Sequence, residues 1–154
     1  FVQDDRSLGS SVSTAQIQCH SVVDIEINII YIPAGGDIPD PIENLSFAHK
    51  LCFIDDVAEC FEQHKAKWQD KKMIVCGDFN DTPISYTHRV LSEGMNDAFA
   101  ESGNGFGFSY NKNRMFFRID HILVSQSMNV YNCTVDKTVN ASDHYPIWCN
   151  VSLQ

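Results

Sequence analysis

The run Met73-Ile74-Val75-Cys76 is continuously apolar and stops at Gly77, after which the chain turns polar at once with Asp78-Phe79-Asn80-Asp81. Short apolar runs of this kind are typical of a central strand buried on both faces. A sheet with such a strand needs other elements packed against it. The neighbouring segments agree. Asn44–Gln69 sets Phe47, Leu51, Ile54, Val57, Ala58 and Phe61 at three- and four-residue steps, the stripe of a helix buried on one side. Asp70-Lys71-Lys72 makes the turn into the central strand, Thr82-Pro83 is a helix opening, and Ile84–Leu91 is a short helix ending before Gly94.

Upstream, Ile17 and Cys19, then Val23, Ile25, Ile27 and Ile29, alternate with His20, Asp24, Glu26 and Asn28. That alternation predicts one half-buried strand from Gln16 to Ile32. Pro33-Ala34-Gly35-Gly36-Asp37 and Pro39-Asp40-Pro41 break it into an open loop. Ala98–Asn113, rich in glycine and aromatics, predicts a loop or short hairpin beside a site. Further strands are predicted over Phe116–Val124, Val130–Val135 and Ile147–Leu153, whereas Phe1–Ala15 is polar, serine-rich and aperiodic, a loose leader. No internal repeat or low-complexity linker divides the chain, so 16–154 is expected to be one unit, an α/β (α+β) sheet covered by helices on one face.

The 154 residues suffice for one buried core, and 44% hydrophobic with 20% charged residues is ordinary globular composition. No apolar run approaches bilayer length, which argues against an integral membrane segment. Phe1–Leu8 lacks the basic start and apolar stretch of a signal peptide, which favours an intracellular compartment while the sequence leaves the compartment open. The net charge of −9 argues against a simple electrostatic clamp on nucleic acid. It is compatible with carboxylates that hold a divalent cation against a phosphate ester. The six cysteines, Cys19, Cys52, Cys60, Cys76, Cys133 and Cys149, include no CxxC pair and are expected to be buried free thiols rather than zinc ligands. Five N-x-S/T triplets begin at Asn44, Asn80, Asn132, Asn140 and Asn150, and a glycan at Asn80 would block the site proposed next.

Asp78 and Asn80 leave the strand end two residues apart, a spacing that puts both side chains on one face. They suit cation or water binding and donation to a phosphate oxygen, or equally an Asx turn. Asp120 interrupts Ile119-Asp120-His121-Ile122-Leu123-Val124, where a carboxylate needs a partner. The partner is either Arg118 or a histidine whose tautomer Asp120 fixes. Asp143-His144 precedes the last strand, either as a solvated pair or with one side chain toward a metal and the other toward phosphorus. The set, in this order and each member beside an apolar strand, favours the chemical reading.

Gly77-Asp78-Phe79-Asn80-Asp81, Arg118-Ile119-Asp120-His121-Ile122-Leu123 and Ser142-Asp143-His144-Tyr145-Pro146-Ile147 resemble the C-terminal motifs of the endonuclease/exonuclease/phosphatase family. That family includes exonuclease III-type abasic-site nucleases, deoxyribonuclease I, sphingomyelinases and inositol phosphatases. The likeness runs from about Ile27 to the end, and Tyr31-Ile32-Pro33 with the following loop and Phe47–Leu51 resembles the exonuclease III branch. The resemblance implies a four-layer α/β sandwich of two similar halves, of which this chain would be the C-terminal portion. It implies a phosphodiester hydrolase, most simply a nuclease of the exonuclease III type, using Mg²⁺ or Mn²⁺; the alternatives are a phosphatase or lipid phosphodiesterase of the same family, or a truncated fragment or interaction module without turnover. Asp143 would hold metal and Asp78 would align or activate water. Asn80 and Arg118 would contact substrate, His144 oriented by Asp120 would act as base or phosphate contact, and Tyr31 would touch phosphate or leaving group. In the family, the N-terminal half supplies an asparagine and a metal-binding glutamate. Glu26 is acidic and on a strand, but its surroundings do not match that glutamate motif. Nucleic acid or another phosphoester is the implied partner, and the sheet face left without the other half is a candidate for self-association.

Overall fold

The computed structural model describes residues 18–22, 25–67, 72–112 and 116–153. The expected leader, the start of the first predicted strand at Gln16–Ile17, and the Asp70-Lys71 turn lie outside them. In chain order the elements are β1 Gln18–Val22, β2 Ile25–Tyr31, α1 Leu45–Lys67, β3 Lys72–Asp78, α2 Tyr86–Leu91, β4 Met95–Asp97, α3 Ala98–Ser102, β5 Asp120–Ser125, β6 Met128–Val135 and β7 Ile147–Leu153. Five strands form one sheet in the order β1-β2-β3-β5-β4, and β6 and β7 pair separately. Only β2–β3 is parallel. The long helix α1 supplies the crossover that a parallel pair requires.

The apolar stripe of α1 packs as its period predicts. Ile54, Val57 and Phe61 are buried against Ile30 and Ile32 at the end of β2, Met73 and Val75 of β3, Leu91 of α2 and Leu123 of β5. Each fully buried aliphatic side chain of this kind contributes about 1.5–3 kcal/mol. Asn44 caps the helix: its Oδ1 accepts from the amides of Ser46 and Phe47, while its Nδ2 donates to the carbonyls of Gly35 and Ile38. The opposite face of β5 carries Ile122, which packs in a second cluster with Ala98 and Phe99 of α3, Cys133 of β6 and Ile147 and Cys149 of β7. The β6–β7 hairpin therefore lies across the sheet face that α1 leaves uncovered. A bulge between Tyr131 and Thr134, with Asn132 in the left-handed region (φ 54°), bends it there.

Several expectations are corrected. The single strand predicted from Gln16 to Ile32 is a hairpin of β1 and β2. Its buried side is not the isoleucine side: Glu26, Asn28 and Ile30 are buried, while Ile29 and Tyr31 are each 41% exposed. Alternation gave the period correctly but not the face, because the polar set includes Asn28 and Glu26, which satisfy each other by an amide–carboxylate bond of 3.3 Å. The Ala98–Asn113 segment begins as a helix because Asp97 caps it, accepting from the amides of Phe99 and Ala100. Thr82-Pro83 is a turn, and α2 starts later, behind Ser85 as its cap. Regular pairing in β5 begins only at Asp120; upstream, Phe117 makes an isolated bridge to Tyr110. Of the cysteines, Cys52, Cys76, Cys133 and Cys149 are free thiols as expected, yet of these only Cys133 is buried and Cys52 is exposed.

A polar network ties β4, α2 and β5 together. Arg118 forks onto Asp97 with both contacts at 2.9 Å, and His88 Nε2 donates to the same carboxylate at 2.9 Å. Burial alone would raise Asp97, but the bonds from His88 and Arg118 outweigh it and hold the carboxyl far below the usual range. His121 is fully buried between the rings of Phe79 and His88. Burial pushes its pKa from 6.5 down to about 4.

Two outcomes follow from this architecture. Gly77 has φ 145°, and a Cβ there would stand 1.8 Å from the Ile30 carbonyl oxygen. Gly77→Ala should therefore break the β2–β3 pairing and lower unfolding free energy by about 3 kcal/mol or more in urea titration; a loss under about 1 kcal/mol would contradict this packing. The second outcome concerns pH. Unfolded His121 takes a proton near 6.5 and folded His121 only near 4, so the unfolded chain binds more protons in between and stability falls as pH drops through that window. The drop amounts to roughly 3 kcal/mol. His121→Phe should flatten the stability–pH slope between pH 6.5 and 4, and an unchanged slope would contradict the assignment.

Candidate active site

Register places the first three site residues. Tyr31 is the Cα partner of Asp78 across the parallel β2–β3 pair, and Asp78 is the partner of Asp120 across the antiparallel β3–β5 pair. Residues directly opposite on neighbouring strands share a face. Tyr31, Asp78 and Asp120 thus stand in a row at one end of the sheet, on the face away from the α1 core. His144 closes the row: its Nδ1 lies 2.9 Å from Asp120 Oδ2. With a carboxylate accepting at Nδ1, the proton sits on that nitrogen and Nε2 is left free.

Neighbours hold this pair in place. Ser109 is fully buried, and its Oγ accepts from the amides of Ile119 and Asp120. Tyr110 bridges His144 along the backbone and meets its ring edge-on at 5.1 Å. The Tyr145 amide donates to the Ser109 carbonyl at 2.7 Å, and the His144 amide donates to Ser142 Oγ at 3.0 Å. The aromatic-rich segment, through Ser109 and Tyr110, thus packs against the His144 segment.

The turn after β3 orients Asp78. Asn80 stands in the left-handed region (φ 47°), and its amide donates to Asp78 Oδ1 at 2.8 Å. Its Nδ2 donates to the Ile32 carbonyl at 2.9 Å and to Asp78 Oδ2 at 3.2 Å. Both protons of the Asn80 side-chain amide are thus engaged, so a phosphate oxygen would have to replace the longer bond. Burial raises the Asp78 pKa and the Asp120 charge raises it further, against the lowering effect of the Asn80 amide and of the His144 and Lys50 charges. Asp78 is suited to accept a proton from water.

One ligand atom each from Asp78, Asp120 and His144 lies within 4.8 Å of the others. Two hard carboxylates whose charges repel, beside an imidazole, suit a divalent cation that prefers oxygen ligands. Asp143 stands outside this close triplet, half-exposed, its carboxylate 3.4 Å from Lys112 Nζ. Glu26 is not a ligand here. It pairs with Met73, five residues down β2 from Tyr31, or about 16 Å away. A second triplet, His88, Asp97 and His121, is equally compact. Asp97 already accepts from Phe99, Ala100, Arg118 and His88, and the Arg118 charge sits on it, so these residues do not fit a cation.

Besides Asp143, which stands outside the triplet on Lys112, the fold takes Arg118 away from the row. It is 8% exposed, locked onto Asp97 and stacked over Phe99 at 5.1 Å, so its guanidinium has no face for a substrate. Conversely, Lys50, Ser109, Tyr110 and His121 all support the site without having been singled out as site residues. Their sequence signals are faint: a lysine inside the α1 apolar stripe, and a serine and a tyrosine within an aromatic-rich loop.

Comparison with known proteins identifies the fold and the family. Among solved structures, the chain superposes on the 3′ phosphatase NExo from Neisseria, bound to a product DNA hairpin, with a TM-score of 0.72 and 20% identity, covering 90% of this chain and 64% of that one. An AP endonuclease from Archaeoglobus fulgidus gives 0.66 at 17% identity, covering 90% and 65%. A mannosyl-6-phosphatase from Bacteroides thetaiotaomicron gives 0.59 at 19%, covering 84% and 51%. The chain therefore spans less than two thirds of each of these proteins. No curated protein matches. A model of the endonuclease/exonuclease/phosphatase family, whose members hydrolyse phosphoesters, matches residues 50–144, a stretch that runs from α1 through Asp78, Asn80 and Asp120 to His144, and the chain belongs to that family.

Proposed function

We propose that this chain carries the catalytic face of a divalent-metal-dependent phosphodiester hydrolase, a nuclease of the exonuclease III type. The observation that carries the reading is the row Tyr31–Asp78–Asp120, closed by the 2.9 Å bond from Asp120 to His144. Asp78, raised by burial, aligns the attacking water and takes its proton. His144 presents Nε2 to the phosphate, and Asp120 stabilises the ring when it is protonated. Asn80 exchanges its bond to Asp78 Oδ2 for a phosphate oxygen, and Tyr31, at the exposed rim, contacts the phosphate or the leaving group. Water oxygen bonds to phosphorus as its proton passes to Asp78, the ester P–O bond breaks, and the leaving oxygen takes up a proton from solvent. Asp143, released from Lys112, would hold Mg²⁺ or Mn²⁺ beside the Asp78–Asp120 carboxylates, and the ion when bound supplies charge neutralisation on the phosphate oxygens. Positioning and charge compensation provide most of the rate.

The branch assignment rests on Tyr31 with the loop after it, and on the fold shared with NExo and the AP endonuclease. A second reading, a phosphatase or lipid phosphodiesterase with a smaller substrate, is favoured by the −9 charge and by the burial of Arg118. The half-exposed β2 face with Ile29 and Tyr31 is the surface by which copies would associate if they do. No helix among the described residues is long and apolar enough to cross a membrane.

The test is cleavage of abasic-site duplex DNA, a simple aryl diester and an aryl monoester with Mg²⁺ or Mn²⁺. Diester cleavage should be abolished by chelator and fall about 10³-fold in His144→Ala and Asp143→Ala. Faster monoester turnover selects the second reading, and no cleavage of any of the three with any divalent metal overturns activity of this chain. Titration of the metal-free chain offers an independent check. Because burial raises its pKa, the Asp78 carboxyl should titrate above an ordinary aspartate in ¹³C spectra recorded without metal. A titration at or below the usual aspartate value would contradict the environment given to Asp78.

A further inference from the structure

Lys50 is a buried ammonium beneath the catalytic turn. It lies in the apolar stripe of α1, its side chain only 4% exposed. An unpaired charge there would be costly, and the structure offers it three oxygens. Nζ donates to the Asn80 carbonyl at 2.9 Å and to the Phe79 carbonyl at 3.4 Å, and it pairs with Asp81 Oδ2 at 3.0 Å. An ammonium has three protons, and three acceptors use them all. The next carbonyl, that of Asp81, accepts from His121 Nε2 at 2.9 Å. Every carbonyl from Phe79 to Asp81 is thus held by a side chain from beneath. The lysine stem is itself confined: a Cβ on Gly35 would lie 3.1 Å from Lys50 Cδ, so the loop after β2 presses on it.

The turn so gripped is the one whose geometry matters. Asn80 holds a left-handed backbone, and its amide and side chain reach both oxygens of Asp78. A buried ion pair is weak evidence for stability, because its desolvation offsets much of its attraction. Fixing a conformation is the better account of a lysine in this place.

Resting on the phosphoester-cleaving reading of the site, we propose that Lys50 is a positioning residue: its ammonium fixes the Phe79–Asp81 turn and thereby holds Asp78 and Asn80 in register with the His144–Asp120 pair, without touching substrate.

The variants are Lys50→Met, which keeps the stem and removes the charge, and Lys50→Met/Asp81→Asn, which removes both members of the pair so that no uncompensated carboxylate is left. Each is made in the 154-residue chain and compared with it by circular dichroism, by ¹H–¹⁵N spectra and by kinetics on the aryl diester. Both should keep the native circular dichroism, shift the Asn80 backbone and side-chain amide signals, and lower kcat about 10²-fold, the cost expected of a displacement near 1 Å. KM should stay within about threefold, since uniform substrate binding is not what is removed. If the double variant folds and its Asn80 signals stay where they are, the proposal is overturned. A rise in KM with unchanged kcat overturns it as well, because Lys50 would then be a substrate contact. Absence of turnover in the unsubstituted chain overturns the hydrolase reading instead, while the Asn80 signals still decide whether Lys50 sets the turn.

Discussion

The parallel pairing of β2 with β3 is the constraint on which the remainder of the site depends. It sets Tyr31 beside Asp78, and the antiparallel β3–β5 pair then sets Asp120 beside Asp78 from the other side. A one-residue slip in either pair would turn a member of that row to the other face of the sheet. The register is tightened where the strands converge, because Gly77 lets the backbone of β3 come against the Ile30 carbonyl at a distance no side chain permits. The bond from the Ile32 amide to the Asp78 carbonyl continues the pairing past the end of β2. The site is thus a product of sheet geometry first and of side-chain chemistry second.

Charge is distributed according to the same plan. The sheet end gathers carboxylates that repel one another, and burial makes Asp78 reluctant to ionise. Beneath and beside them the fold spends its buried cations on structure: Lys50 under the turn, Arg118 on Asp97. Neither cation is free to neutralise a phosphate. The close group of Asp78, Asp120 and His144 at the cleft suits a divalent cation, in keeping with the negative net charge. Local strain goes with this arrangement, since Asn80 is one of two non-glycine residues with positive φ among the described residues.

Much of this was legible in the residues. The strand end at Gly77, the helix stripe over Phe47–Phe61 and the polar positions Asp78, Asn80, Asp120 and His144 each sit where a period ends, so local pattern finds them. What pattern does not show is which face is buried. Ile25, Ile27 and Ile29 alternate with polar residues as in a half-buried strand, yet the polar side is the covered one, because a Glu26–Asn28 bond and the deep Ile30 and Ile32 anchor it there. Arg118 misleads for a related reason. It stands two residues before Asp120, but regular strand begins only at Asp120, and Asp97 on the neighbouring β4 captures the guanidinium. Partnerships across 20 to 40 residues, such as Asp120 with His144 or Lys50 with Asn80, depend on topology and cannot be read from spacing.

The bond from His144 to Asp120 is where all of these pairings meet, so the protonation of that ring tests the account most directly. Long-range ¹H–¹⁵N correlation of the histidine rings at pH 8 reports the tautomer of each. The geometry predicts that His144 carries its proton on Nδ1, held by Asp120, and that Asp120→Ala releases the ring to average between tautomers. A His144 ring protonated on Nε2 in the unsubstituted chain, or one whose signals ignore the loss of Asp120, would contradict the assembled site.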